Sequence, residues 1–172
     1  MEKNWYPSKP CQPFNAGQAC WNQRHKLAKN CKRILELFQA VDRPGDLQAY
    51  QWTQLMAAAL EFKPDLILEL GRGRGNSTCV FTEAAQHLSP RRTAVVSLCL
   101  SDDWERLTKP KVSKVVPSSW FEPLNALQCN ILSFDYEPLL SKSERCLIFW
   151  DAHGFEVAEC ILGRILPLIL EK

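Results

Sequence analysis

The apolar positions of this chain keep two different rhythms. From about Gly17 to Ala40, Leu27, Cys31, Ile34, Leu35 and Phe38 recur at three- and four-residue steps, the spacing of one helix face. Arg43-Pro44-Gly45 breaks the pattern. Asp46 then stands where it can cap a second helix, with Leu47, Tyr50, Leu55, Met56, Ala59 and Leu60 as its face. From residue 65 short apolar runs take over. Strands are expected at Leu66–Leu70, Ala94–Leu100, Cys129–Phe134 and Cys146–Trp150. Between the first two, a helix is expected from about Asn76 to His87, with Ser89-Pro90 beyond it. Asp102–Pro110 reads as a polar loop and Val112–Val116 as a short extended piece. Ser118 or Ser119 is placed to cap a helix through Trp120, Leu124 and Leu127, and a last helix is expected from about Phe155 to Leu170. Strands that are apolar along nearly their whole length and alternate with helices are those of a buried parallel sheet. With right-handed crossovers the expected order is 3-2-1-4, with helices on both faces and two helices ahead of the sheet.

The junction between the first strand and its helix carries the clearest chemistry. Leu66-Ile67-Leu68 leads into Glu69, and Gly71, Gly73 and Gly75 follow at alternate positions before Asn76-Ser77 opens the helix. Glycines there let the backbone turn tightly and approach a ligand. The helix start offers free N–H groups and a partial positive charge. Such a loop suits the polar end of a nucleotide-like cofactor. A dinucleotide fingerprint would be G-x-G-x-x-G, but counting from Gly71 the sixth position is Asn76, so that pattern fails. The same glycines are also compatible with a tight turn in an unrelated α/β protein.

The run E-x-G-x-G-x-G from Glu69 to Gly75 resembles the first motif of the class I S-adenosylmethionine-dependent methyltransferases. The continuation Gly75-Asn76-Ser77-Thr78 is similar to the branch that includes small sugar, antibiotic and natural-product O-methyltransferases. The resemblance covers roughly residues 62–170 and implies a Rossmann-like α/β fold. It implies that Glu69, Gly71, Gly73, Gly75 and Asn76 hold S-adenosylmethionine, with Glu69, Gly71, Gly73 and Asn76 at its methionine end. The N-terminal segment and two helices, residues 1–62, then precede a cofactor-binding core at 63–172, within one domain overall.

A second motif follows the last apolar strand. In open α/β sheets ligands bind at the carboxyl ends of the strands, so Asp151-Ala152-His153 should meet the glycine loop. An aspartate there can ligate a divalent metal such as Mg or hold the cofactor's ammonium. A histidine there can take a proton from a substrate hydroxyl, because its pKa lies near neutrality. The resembling family carries an acidic residue after this strand, often with a histidine close by. Asp151 is accordingly assigned to the cofactor or a metal, and His153 to catalysis. In the purely structural alternative, Asp151 caps the next helix and His153 lies in the turn.

The chain departs from the family in three places. The acid that usually ends the second strand and holds the ribose hydroxyls falls on Cys99, which leaves Asp102, or Asp103 beside it, to reach in from the loop. The acid common in the third-strand loop is replaced by Asn130 or displaced to Asp135. The sequence ends at Lys172, after the helix of the fourth strand, where the family continues to a fifth strand and an antiparallel pair. A fragment, or a reduced domain that needs a partner, is the expectation from that point.

Composition narrows the partners. The 172 residues are 46% hydrophobic, 10% aromatic and 23% charged, an ordinary globular balance. A net charge of +2 gives no basis for binding nucleic acid or an acidic membrane surface. Arg91-Arg92 is the one arginine pair and reads as a solvated loop. No stretch approaches the ~20 apolar residues that cross a bilayer. The N-terminal MEKNWYPSKP lacks the apolar core of a signal peptide, so a cytoplasmic protein is expected. Residues 1–14, rich in proline and aromatics, read as irregular. The eight cysteines form no C-x-x-C pair, and no disulfide framework is expected. Cys79, Cys99, Cys146 and Cys160 fall inside expected strands and helices as small hydrophobes, whereas Cys11, Cys20 and Cys31 precede the core and are open to exposure.

Two functional classes stand. The first is a methyltransferase that acts on a small-molecule hydroxyl, a chemistry needing mainly positioning and one base. The second is a non-catalytic descendant that keeps the fold and serves as a binding or assembly module, which Cys99 and the early C-terminus favour. A nucleotide-sugar or NAD-dependent enzyme is a weaker third, against which the missing sixth-position glycine counts. A small-molecule acceptor is the expected partner, with a homo-oligomer left open and no nucleic acid or membrane.

Overall fold

Leu66–Leu70 (β1) is buried along its whole length because it has a strand on each side and a helical layer on each face. The computed structural model describes residues 14–88 and 93–170. The irregular reading of 1–13, Cys11, Ser89-Pro90 and Arg91-Arg92 lie outside the described residues. Within them, β1 pairs in parallel with Ala94–Cys99 (β2) and with Cys146–Trp150 (β4), and β2 pairs in parallel with Leu124–Gln128 (β3). The sheet order is β3-β2-β1-β4, a Rossmann-like α/β arrangement, as the alternation of strands and helices leads one to expect.

Two helices precede the sheet. Ala16–Val41 (α1) is capped by Asn15, whose side chain accepts from the Gln18 N–H, and ends at Asp42 in the left-handed region. Ala49–Phe62 (α2) starts with a capping box made by Gln48 and Gln51, so Asp46 is not its cap. Instead the Asp46 carboxylate faces the Asn76 amide at 3.4 Å. α1, α2 and Asn76–Leu88 (α3) share one core with Ile67 and Val95 on one face of the sheet. The other face carries Leu66, Leu68, Leu70, Val96 and Leu98 against the C-terminal helices. Those are Glu137–Leu140 (α5), Phe155–Cys160 (α6) and, after a π-helical turn at Ile161–Ile165, Leu166–Leu170 (α7). Among the described residues no helix is long and apolar enough to cross a membrane.

Four expectations about the middle of the chain are corrected, among them the helix through Trp120, Leu124 and Leu127, because Leu124–Gln128 is a strand. The Asp102–Pro110 stretch is helical, with a π-turn at Trp104–Thr108 running into Lys109–Val112 (α4). Trp104, Thr108 and Val112 are buried at four-residue steps, a helical face that the surrounding charges and Pro110 conceal. Val112–Val116 is a set of turns, with the Val116 N–H donating to Val112 O at 3.1 Å, and not an extended piece. The third strand is Leu124–Gln128, preceded by a short 3-10 turn at Ser118–Phe121, and not Cys129–Phe134. Asn130 decides against the latter. Its side chain accepts from the Leu132 N–H at 2.9 Å and turns Ile131–Ser133 into a 3-10 helix.

Candidate functional site

The loop that leaves β1 is shaped by positive-φ glycines. Gly71 has φ +97° and Gly75 φ +87°, values that side chains rarely adopt. Each has a neighbour where a Cβ would stand. At Gly71 it would lie 2.5 Å from Ala152 N and 2.7 Å from Asp151 C, and at Gly75 it would lie 2.5 Å from the Trp104 ring. These two glycines therefore let the loop touch protein: Gly71 the backbone after β4, and Gly75 the α4 side. Gly73, also at positive φ, has nothing within 4 Å of its Cβ position, so the space beside it is open.

Contact between Gly71 and Asp151-Ala152 brings the two sequence motifs together. The Asp151 N–H donates to Leu70 O at 2.8 Å, and the Gly71 N–H donates to Leu98 O at 3.0 Å, so the ladders of β1, β2 and β4 end at one rim. A cleft of about 710 Å³ opens there. Of the residues assigned from sequence, Gly71, Gly73, Asn76, Asp151 and His153 line it. Asp151 and His153 are both exposed, which leaves their side chains accessible to a ligand. Asp151 is not a helix cap: α6 begins at Phe155 after Gly154. Asn76 is 4% exposed and its amide is already engaged. It donates to Arg43 O at 3.3 Å and accepts from Trp52 Nε1 at 3.2 Å. Its side chain thus holds the segment before α2 against the cleft wall.

Glu69 and Asp102 stand elsewhere. Glu69 is fully buried and does not line the cleft. One carboxylate oxygen accepts from the Ser77 hydroxyl, and the other accepts from Thr78 Oγ1 at 2.5 Å and from the Ser97 hydroxyl. It ties β1, β2 and the first turn of α3 into one unit beneath the loop, and its expected contact with the methionine end is replaced by these hydroxyls. Gly75 is likewise absent from the cleft wall, because Trp104 covers it. Asp102 is exposed beside Arg106, 3.8 Å away, and does not reach the cleft. Asp103 is spent on Arg74 and Arg106. The position that ends β2 is Cys99, which does line the cleft.

The sequence reading missed the two arginines between the glycines. Arg72 is 4% exposed and lines the cleft. Its guanidinium donates to Ser97 O at 2.7 Å, to Ser97 Oγ at 3.1 Å and to Leu127 O at 3.3 Å, fastening the loop to β2 and β3. Its Nε has no partner among the described residues. Arg74 also lines the cleft, with its Nε 3.1 Å from Asp103 Oδ2, an ion-pair distance at which the N–H does not aim at the oxygen. The available signal was the alternation Gly-Arg-Gly-Arg-Gly, where every residue between glycines must face the ligand or the strands below. Asp46 and Glu156 add carboxylates to the wall, so its charges are mixed.

Among the described residues no group of three or more His, Cys, Asp or Glu side chains is arranged to hold a metal ion. Comparison of the chain with protein-family models, with curated proteins and with solved structures finds no match.

Proposed function

We propose that the cleft binds S-adenosylmethionine and that the chain transfers its methyl group to a small-molecule hydroxyl. The observation that carries this reading is the junction of the open Gly73 loop with Asp151 and His153 across one cleft at the carboxyl ends of β1 and β4. The fit rests on the open space at Gly73, which a backbone-hugging ligand would fill, and on a volume of about 710 Å³, within the range of small-molecule sites. When bound, the cofactor supplies an electrophilic methyl on a sulfonium. The chain's own work is positioning and proton removal. Gly71 and Gly73 would shape the rim for the methionine end, and Asp151 would accept a hydrogen bond from its ammonium. The exposed His153 imidazole would take the proton of the acceptor hydroxyl. Among the described residues Asp151 belongs to no group of three or more His, Cys, Asp or Glu side chains that could hold a metal.

A second reading is a cofactor-binding module without turnover. The placement of Asp102 outside the cleft, with Cys99 at the end of β2, favours it, since no carboxylate faces the ribose hydroxyls from that strand.

Calorimetric titration with S-adenosylmethionine, S-adenosylhomocysteine and NAD separates the readings. Saturable binding of the first two and none of NAD is expected. Asp151→Asn should weaken that binding about 10- to 100-fold, the scale of one hydrogen bond to a charged group. His153→Ala should leave binding nearly unchanged and slow transfer to a hydroxyl acceptor by ~10²–10⁴-fold. Failure of either adenosyl compound to bind sinks both readings. Binding without transfer to any sugar or phenolic hydroxyl in a broad panel selects the module.

A further inference from the structure

We infer that the outer face of α1, together with the groove between α1 and α2, docks an acidic amphipathic helix of a partner protein. This does not depend on what the cleft holds. The overall charge of +2 hides a local imbalance. From Ala16 to Leu35 the helix carries Arg24, His25, Lys26, Lys29, Lys32 and Arg33 and no acid, the first being Glu36. Arg33 is spent on Glu36, 3.1 Å away, and on Val115 O. Lys32 stands 4.0 Å from Glu36 and its side chain is 91% exposed. Lys26 and Lys29 are exposed and pair with no acid among the described residues. Apolar residues run through this basic face. Trp21 is 64% exposed and Leu35 43%, and the exposed Ala28 lies midway, seven residues from each.

Seven-residue spacing puts Trp21, Ala28 and Leu35 on one stripe, which winds back about 20° per heptad along a straight helix. Arg24 and Lys32, at three- and four-residue steps from them, share that face. The Arg24 guanidinium lies over the Trp21 ring, 4.3 Å from its centroid, and donates to Trp21 O at 2.8 Å, so it props the indole in place. The stripe opens into a groove of about 350 Å³, with Ala28, Cys31 and Leu35 on one side and Ala49, Tyr50 and Thr53 on the other. None of the residues lining it is charged. Ala28 leaves room between Trp21 and Leu35 for one large side chain from outside. A partner helix crossing α1 at about 20° seats an apolar residue there and follows the stripe in both directions. Its flank then meets the Lys29 and Lys32 ammonium groups, which select Asp or Glu at those positions. A basic helix with exposed Trp and Leu also suits an anionic lipid surface, but a flat surface leaves the groove unfilled. The concavity beside Ala28 therefore favours the helix.

Fluorescence anisotropy with labelled peptides tests the docking on the full chain. The probe is a single helix of about three heptads, with leucine along its apolar seam and glutamate beside it. A twin carries lysine in place of each glutamate. The glutamate peptide is expected to bind with a Kd on the order of 10 μM or tighter, and the lysine twin at least about tenfold more weakly. Ala28→Glu sets a carboxylate in the seam and should weaken the glutamate peptide at least about tenfold. Lys29→Glu combined with Lys32→Glu should remove the preference for the glutamate peptide, a change that a merely destabilised fold does not produce. Cys31 is an exposed thiol in the groove, so its alkylation, followed by mass spectrometry, should slow when that peptide is bound. The inference is overturned if the glutamate peptide does not bind, if the twins bind alike, or if either variant leaves the preference as it is in the parent. An unchanged rate at Cys31 overturns it too. So does a chain that ignores the peptide but binds phosphatidylserine–phosphatidylcholine vesicles through Ala28, which would assign the face to lipid, or a dimer of the free chain that already shields Cys31.

Discussion

Replacing Glu69 with alanine is expected to cost about 3–5 kcal/mol of folding stability, the range for removing one partner from a buried charged cluster. In a chain of this length that is a fall in Tm of roughly 10 °C or more. The cause is local. Glu69 is fully buried, and the hydroxyls of Ser77, Thr78 and Ser97 all donate to it. Without it those hydroxyls lose their acceptor, and the buried Arg72 loses the nearby negative charge. Glu69→Gln keeps the shape and one acceptor oxygen, so its loss should be far smaller. The pair also differs in pH dependence. Burial pushes the Glu69 carboxyl above its ordinary value near 4.5, against the pull of the Ser77, Ser97 and Thr78 hydroxyls and of Arg72. The folded chain therefore holds that proton to higher pH than the unfolded chain does. The associated stability is complete below the unfolded value and declines as pH rises through the folded one. Glutamine does not titrate, so Glu69→Gln should gain on the parent as pH rises above the ordinary carboxylate value near 4.5. Denaturant melts at several pH values check this. A Glu69→Ala variant as stable as the parent, or a parent–Gln difference flat in pH, would refute it.

The second large effect is expected at Gly71. A valine there must take φ near +97° and put its Cβ 2.5 Å from Ala152 N. The backbone strain alone is worth about 1–3 kcal/mol, and forcing the β4 loop aside costs a similar amount again. Gly71→Val should therefore fail to fold stably, whatever the cleft binds, and loss of ligand in that variant says little about the ligand. Gly73→Ala is the informative companion. Its Cβ meets nothing within 4 Å, so it pays only the left-handed backbone term of about 1–2 kcal/mol. If the cofactor's methionine end hugs the loop, that methyl group stands in its way, and Gly73→Ala should fold and lose affinity at least about tenfold, about 1.4 kcal/mol. Circular dichroism melts with calorimetry on both variants separate the outcomes. A well-folded Gly71→Val with parental Tm contradicts the packing argument, and a Gly73→Ala with parental affinity removes the loop from the site.

Much of this fold is legible along the chain because its signals are local. The helical spacing through Leu27, Ile34 and Phe38 marks α1, and the short apolar runs LILEL and CLIFW mark the two parallel strands that meet at the cleft. The alternating glycines after Glu69 and the Asp151–His153 turn could be brought together from topology alone, since parallel neighbours end at the same edge. What the tertiary structure decided were choices between local patterns of equal merit. LNALQ and CNILSF are both short and apolar enough for a strand. The former wins because it pairs from Val95 to Cys99 along β2, while the Asn130 side chain bends the latter. WERLTKPKV is rich in charge yet helical, because Trp104 fills the space that Gly75 leaves. The same holds within the site. Glu69 reads as a ligand in sequence, but the hydroxyls of α3 and β2 surround it once the strands assemble. Arg72 and Arg74 become part of the cleft only because the positive φ of the glycines turns the loop back over the sheet. Periodicity reports which face of an element is apolar; which polar group is buried depends on contacts between residues distant in the chain, and those exist only after the layers pack.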